Sequence, residues 1–141
     1  MRAFCARMGA TVPQRKALVL KASRILLSEK PLPERLQAFL EALLEGPFPI
    51  RSGKLYLRKG EGLRLVAQLG GEAGGEEVAL SLEGGGRALG RLSLRLAPAA
   101  SLAPEDRLAL EEAAGILALA LLRERAERAE RVLRRAGECA T

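Results

Sequence analysis

Basic and polar side chains recur at alternate positions in three stretches near the middle of this 141-residue chain, residues 54–58, 64–68 and 91–95, with Val66 as the one apolar exception. Leucine and other apolar residues occupy most of the positions between them. Successive side chains of a β-strand point to opposite faces, so this alternation predicts a sheet with one buried and one polar face. The side chains that we predict on the polar face, and consider for binding, are Lys54, Tyr56, Arg58, Arg64, Arg91, Ser93 and Arg95.

This predicted polar face carries five cations and no carboxylate. Arginine presents a fork of donors that matches phosphate, and the Tyr56 ring could stack on a base. The face is therefore a candidate site for an anion: a nucleotide, RNA or an acidic patch on a partner protein. The competing interpretation is a solvated sheet face, whose Arg and Lys stems cover the strands while their charged ends stay in water. A single aromatic residue also argues against nucleic acid.

The chain lacks the residues that most other kinds of functional site require. The chain has no histidine, which excludes a Ser-His-Asp catalytic triad and a Cys-His catalytic pair. Its two cysteines, Cys5 and Cys139, lie near opposite ends and form neither a zinc motif nor a disulfide framework. The Ser52-Gly53-Lys54 segment lacks the upstream glycine of a phosphate-binding loop. We therefore predict no enzyme activity, no metal site and no cofactor.

Composition predicts one globular domain, with 48% apolar residues and a net charge of +6. The charge is uneven, because residues 1–60 hold twelve Lys or Arg against four Glu. The longest apolar stretch, which contains Gly115–Leu122, is too short to cross a bilayer, so we expect no membrane insertion and a cytoplasmic location. Scarce amide residues with abundant Arg and Glu are typical of a heat-adapted source.

Periodicity and turn residues divide the chain into elements. Apolar stripes with helical spacing predict helices over residues 14–29 and 32–45 and from Pro104 towards Ala136. Alternation bounded by glycine-rich turns predicts strands near residues 53–59, 63–69, 77–82 and 88–96. The predicted organisation is a loose N-terminal tail (1–13), one domain (14–122), and a projecting helix end with a C-terminal tail (123–141).

The last helix has two parts. Residues 108–122 are apolar nearly all round and are predicted to be buried. From Arg123 the apolar positions Ala126, Ala129, Leu133 and Ala136 are spaced 3, 4 and 3, which indicates either a short coiled coil or a solvated, salt-bridged helix end. We expect the terminal helices to pair two copies of the chain. The predicted interface residues are Leu18, Ala22, Ile25, Leu119, Leu122, Ala126, Ala129 and Leu133.

Three segments resemble a GAF domain over roughly residues 14–122. LPERLQAFLEALLEG followed by GKLYLRKGEGLRLVAQLG is similar to the family's entry helix and first hairpin. VALSLEGGGRALGRLSL resembles its last hairpin, with a Gly-x-Leu strand at Gly90–Leu92. LAPEDRLALEEAAGILALAL resembles its closing helix, where Leu110, Ala114 and Ala120 have the family's spacing.

The resemblance implies an α+β fold of the GAF/PAS/profilin kind: an antiparallel sheet of about four strands, expected in the order 2-1-4-3, with the N- and C-terminal helices packed on one face. A profilin-like or roadblock-type domain is the alternative. The family further implies a regulatory or signalling role, a homodimer, a signalling partner protein, and a ligand pocket on the other sheet face.

The chain departs from the family around that pocket. The segment near Gly70–Glu77, which usually carries the pocket's covering helices, is short here. The Asn-containing signature of cyclic-nucleotide-binding members cannot exist in a chain without asparagine. No cysteine near the sheet could hold a bilin or reduce methionine sulfoxide, and no histidine could coordinate a haem. The resemblance thus implies architecture, regulation and an unidentified small ligand, without the family's known activities.

Overall fold

Four antiparallel strands carry three helices on one face in the computed structural model, which describes residues 10–71 and 74–140. The elements are α1 (Val12–Leu26), α2 (Leu32–Glu45), β1 (Ile50–Lys59), β2 (Gly62–Gly70), β3 (Glu77–Gly84), β4 (Arg87–Leu96) and α3 (Pro104–Ala140). The strand order is β2-β1-β4-β3, which confirms the predicted order and fold class. None of the described helices combines the length and apolarity needed to cross a bilayer.

The core lies between the sheet and the helices. Helix α2 packs on β1 and β2, α3 packs on β3 and β4, and α1 packs against both of these helices. The buried side chains are almost all Leu and Ala, with Phe39 as the largest fully buried one. Two of the predicted interface residues, Leu18 and Ala22, belong to this core, so placing them at a dimer interface was wrong. They form the inner stripe of α1, which the domain itself covers.

The N-terminal boundary also differs from the prediction. Thr11 caps α1 in a reciprocal capping box with Gln14, so the helix begins at Val12 and not at residue 14. Ala10 is buried, and its N–H donates to both carboxylate oxygens of Asp106 at 3.2 and 3.3 Å. Arg15 donates to the same carboxylate at 3.2 Å. The chain is thus part of the domain from residue 10 onwards, and the rest of the predicted tail lies outside the described residues.

A β-bulge in β2 reverses part of the predicted alternation. Leu55 faces Ala67, but its neighbour Tyr56 faces Leu65, so Val66 is an extra residue in β2. Side chains alternate with a period of two, and one extra residue therefore exchanges the faces of everything beyond it. Leu63 and Leu65, predicted to be buried, are 51% and 44% exposed. Arg64, predicted on the polar face, lies opposite Leu57 on the helix-covered side.

Helix α3 is buried along one side only. Its core-facing residues Leu110, Leu117 and Leu121 are buried, whereas Leu108 and Leu119 are 64% and 66% exposed. The prediction that residues 108–122 are buried all round was therefore wrong. The reason is that α1, β3 and β4 cover only part of the helix, and no other described element lies over its outer side.

Candidate functional site

The sheet face opposite the helices gathers most of the predicted binding residues. On the central strands Tyr56 lies opposite Arg91, and Lys54 lies opposite Ser93. Arg95 lies opposite Ser52, which is the next pair of residues on the same face of these two strands. The face is concave near the β2–β3 connection, where a depression of about 740 Å³ is lined by Lys54, Tyr56, Gln68, Glu77, Ser93 and Arg95. We call this surface the open face, because no described helix covers it.

Glu77 makes the predicted absence of a carboxylate wrong. Ser93 Oγ donates to Glu77 Oε1 at 2.7 Å, and Arg91 Nη2 lies 3.2 Å from the same oxygen. Arg95 Nη2 lies 3.3 Å from Glu77 Oε2. Glu77 begins β3 on the same face as Ala79 and Ser81, so it supplies the negative charge that offsets the like charges on β4. The protein itself thus occupies much of the arginines' capacity to bind an anion.

The Glu77 carboxyl titrates below its usual pKa of 4.5. The hydrogen bond from Ser93 is the main cause, and the charges of Arg95, Arg91 and Lys54 add to it against a smaller effect of desolvation. These interactions favour the ionised form. Ionised Glu77 therefore stabilises the fold above the pKa of an unfolded glutamate, and this contribution is lost as pH falls through the lower, folded pKa.

We expect Glu77→Gln to lower the stability of the domain at neutral pH, by a modest amount because the groups are solvent-exposed. The difference from the wild type should be full above about pH 5 and should shrink as pH falls below 4.5, because protonated glutamate and glutamine are then alike. Urea unfolding at a series of pH values measures this. A difference that stays constant down to the lowest pH would show that charge is not its cause.

Arg64 does not join the other predicted residues on the open face, and Arg58, which pairs with Leu63 on that face, lies at its far end. Arg58 lies at the end of the first hairpin, where its Nε donates to the carbonyl of Gly60 at 3.2 Å. Arg64 lies on the helix side because of the bulge. Sequence reasoning also missed Leu65, which pairs with Tyr56 and adds an apolar part to this face. The bulge has no signature in the sequence, whereas Glu77 could have been found by extending the alternation of β3 by one residue.

A second candidate surface runs along the outer side of α3. Its residues follow one another at spacings of 4 and 3, which keeps them on one side of a helix. We call this line the seam, and its members are Leu108, Glu112, Gly115, Leu119, Leu122, Ala126, Ala129 and Leu133. All are exposed except Leu122, which is half-buried; Leu133 is 71% exposed. The predicted heptad pattern after Arg123 therefore continues back along the whole domain.

Helix α1 adds apolar side chains beside the seam. Val12, Leu20 and Leu27 are exposed, and Ile25, predicted at the interface, is half-buried. Between α1 and the start of α3 lies a shallow, mostly apolar groove of about 530 Å³, lined by Val12, Val19, Leu20 and Leu108. Lys16, Glu105 and Glu112 also line it, and none of the three forms an ion pair with another described residue.

A metal centre has no basis in the residues whose side chains are described, 10–71 and 74–137. No three acidic, cysteine or histidine side chains come together there. Every buried side-chain nitrogen and oxygen in those parts has a hydrogen-bond partner. The available chemistry is therefore that of charged and apolar surfaces.

Comparison with known proteins finds similar architectures among solved structures. The sequence matches no protein-family model and no curated protein. Among solved structures, the GAF domain of a phosphoenolpyruvate-protein phosphotransferase from Acinetobacter superposes with a TM-score of 0.71 at 10% identity, covering 83% of this chain and 97% of that one. The corresponding GAF domain from Coxiella burnetii gives 0.69 at 15% identity, with 85% and 99% coverage.

An enzyme is also among the similar structures. The free methionine-R-sulfoxide reductase of Neisseria meningitidis, solved in complex with its substrate, superposes with a TM-score of 0.70 at 18% identity, covering 84% of this chain and 95% of that one. Identities this low report on architecture and carry no activity across. The strand order, the helices on one face and these superpositions agree with the expected architecture. This chain has the fold of a GAF domain.

Proposed function

We propose that this chain is a non-enzymatic regulatory module that forms a homodimer through the outer side of α1 and α3. The observation that carries the proposal is the seam: residues with heptad spacing, mostly exposed leucine and alanine together with Glu112 and Gly115, follow the outer side of α3 for about seven turns, opposite the residues that face the core. Scattered exposed leucines are ordinary on protein surfaces, but a mostly apolar line with heptad spacing is typical of helices that pair.

A second copy of the chain is the occupant that fits this surface best. A two-fold interface places the same patch on both partners, so it must be complementary to itself. The groove between α1 and α3 meets this requirement, because it carries Lys16 from α1 together with Glu105 and Glu112 from α3. None of these has a described partner within its own chain, and each could find an opposite charge in a second copy.

The apolar contribution is large enough for a stable pair. Burying one leucine side chain is worth about 1.5–3 kcal/mol. Leu108, Leu119 and Leu133 are about two-thirds exposed, so these leucines from both copies would together contribute about 6–12 kcal/mol, which is comparable with the roughly 4–15 kcal/mol lost on association. Packing within the chain does not require a glycine at Gly115, because a Cβ atom added there would meet no described atom within 4 Å. Its exposed backbone in mid-helix would let the helix of a second copy approach closely. A glycine there costs the helix about 1 kcal/mol relative to alanine.

The non-enzymatic part of the proposal is supported by the residues that the chain offers. Cysteine occurs only at positions 5 and 139, histidine is absent, and Asp106 is the sole aspartate. Asp106 is occupied by Ala10 and Arg15. The described titratable groups thus form no pair of nucleophile and base of the kind that acyl or thiol chemistry requires. A regulatory module is also consistent with GAF domains of phosphotransferases being among the similar structures.

The concentration dependence of unfolding tests this proposal. A protein that is stabilised by pairing unfolds at a higher temperature when it is more concentrated, because association favours the folded state by mass action. We expect the unfolding temperature of the full chain to rise steadily from low to high micromolar concentration. An unfolding temperature that does not depend on concentration over that range would contradict pairing.

A further inference from the structure

A second concave site lies where α3 leaves the domain. The end of the β1–β2 hairpin, the start of α2 and the first exposed turns of α3 enclose a cleft of about 360 Å³. Its floor is aliphatic and consists of Leu32, Leu57, Val66 and Leu121. Three of these four pack against the core as partly buried side chains, and Leu121 is fully part of it. The volume lies within the usual range of small-molecule sites, which is roughly 300–1,000 Å³.

Five cations surround this floor. The hairpin supplies Arg58, Lys59 and Arg64, and α3 supplies Arg125 and Arg128. None of the five forms an ion pair with any other residue in the described parts of the chain. On the open face, in contrast, Glu77 lies against Arg91 and Arg95 of β4. The cleft therefore differs from the open face in having uncompensated positive charge.

The one carboxylate that lines the cleft is already paired outside it. Glu124 Oε2 lies 3.0 Å from Arg35 Nη2, and both side chains are mostly buried. Arg35 is itself fixed by hydrogen bonds to the carbonyls of Leu26 and Lys30, at 3.0 and 2.8 Å. This pair is a fixed part of the wall, and it leaves the five cations without a counter-charge from the cleft lining.

The β-bulge creates this arrangement. In a regular strand, Arg64 would point to the open face and Val66 would be one residue out of step with the floor. The extra residue at Val66 places Arg64 opposite Leu57 and Val66 against the core. Bulges often redirect a side chain next to a functional site. Here the result is a concentration of like charge beside apolar surface, where repulsion is stronger than in bulk water.

We propose that this cleft binds a small amphiphilic anion: a phosphate or carboxylate group held by the cations, attached to an aliphatic body that covers the floor. We infer an aliphatic body for the ligand because the floor consists of leucine and valine and has no aromatic side chain on which a nucleobase could stack. On α3, Leu121 and Arg128 lie on the side of the helix turned from the seam, whereas Arg125 borders the seam between Leu122 and Ala129. A ligand there would connect the hairpin to the base of the projecting helix.

Calorimetric titration of the full chain with octyl phosphate tests the proposal. Methyl phosphate and octanol are the matched probes, because the first keeps the anion and the second keeps the chain. We expect octyl phosphate to bind at least about tenfold more tightly than either, since both parts of the site contribute. The preference should persist at moderate salt, because the aliphatic part does not depend on ionic screening. Equal binding of methyl phosphate, or loss of all binding with salt, would overturn the proposal.

Charge-reversing variants locate the site. Arg64→Glu and Arg125→Glu change exposed side chains of the cleft and should each weaken octyl phosphate binding at least about tenfold. Arg91→Glu is the control, because it makes the same change on the open face and should leave binding within about twofold. Far-ultraviolet circular dichroism establishes that each variant is folded. Equal losses for Arg64→Glu and Arg91→Glu would assign any binding to overall charge and overturn the site.

A separate experiment tests whether the bound anion belongs to a free molecule or to a membrane. Flotation with phosphatidylglycerol vesicles distinguishes a free amphiphile from a membrane surface. We expect octyl phosphate to bind in the calorimeter and the vesicles to retain little protein at moderate salt. Retention on vesicles without binding of octyl phosphate would contradict a small-molecule cleft.

Discussion

The double variant Leu119→Glu/Leu133→Glu is expected to be a folded monomer under conditions in which the wild type is paired. Both leucines are largely exposed in the single chain, so their replacement should leave the stability of the monomer almost unchanged. In the pair, the same change removes four buried leucines and places four carboxylates along one seam. Because each leucine is about two-thirds exposed in the single chain, the loss is about 4–8 kcal/mol, which raises the dissociation constant by at least about a thousandfold. Size-exclusion chromatography with light scattering measures the mass of both proteins.

Leu63→Glu is the matched control for this variant. Leu63 is similarly exposed, but it lies on the open face, away from the seam. We expect this change to leave the mass of the pair unaltered. A double variant that keeps the mass of the wild type would remove the seam from the interface, and a loss of pairing in Leu63→Glu would place the interface on the sheet instead.

The Gly90→Ala variant is expected to lose about 3 kcal/mol or more of stability. Gly90 is buried in β4, and a Cβ atom at this position would lie 2.2 Å from the carbonyl oxygen of Tyr56 in β1. A contact this short forces the two central strands apart, because the obstructing atom belongs to the backbone and cannot rotate away. The methyl group therefore disturbs both the strand pairing and the core beneath it. Urea unfolding monitored by circular dichroism measures the change in free energy.

Gly62→Ala provides the comparison for Gly90→Ala. A Cβ atom at Gly62 meets nothing within 4 Å, although Gly62 also lies in a strand of the same sheet. We expect this change to alter the free energy of unfolding by no more than about 0.5 kcal/mol. Similar stabilities for the two variants would mean that β1 and β4 can separate at low cost, contrary to the close packing of their backbones.

Local patterns were sufficient to predict the elements and their order. Turn glycines such as Gly60 and Gly85 adopt positive φ at the two hairpins, where the sequence predicts turns. Gly90, part of the Gly-x-Leu segment that resembles a GAF strand, proves to be a position where β4 closely approaches the backbone of β1. Short-range signals of this kind depend on backbone sterics, which one sequence records well.

The faces of the sheet were harder to predict than its strands. Alternation assigns a face only if no residue is inserted, and the bulge at Val66 is invisible in a pattern of leucines and arginines. The charge balance of the open face failed for a related reason, because Glu77 lies at the first position of β3, where the alternation has only just begun. Both errors concern the assignment of single residues to a face of the sheet, at the bulge of β2 and at the first position of β3.

The sequence also predicts only in part which apolar residues of a helix are buried. Leu18 and Leu119 both belong to apolar stripes, yet Leu18 is buried and Leu119 is exposed. Periodicity shows that a helix has an apolar side, whereas the number of neighbours it packs against decides which residues are covered. Helix α3 has apolar residues on two opposite sides, and the domain covers only one of them.

Sedimentation velocity of the unmodified chain, from low to high micromolar concentration, tests the central claim most directly. If α3 pairs two copies through the seam, the main species at high concentration should have twice the mass of the chain and an elongated shape, because the helices project beyond the domains. A single species with the mass of one chain at high micromolar concentration would contradict the proposed homodimer.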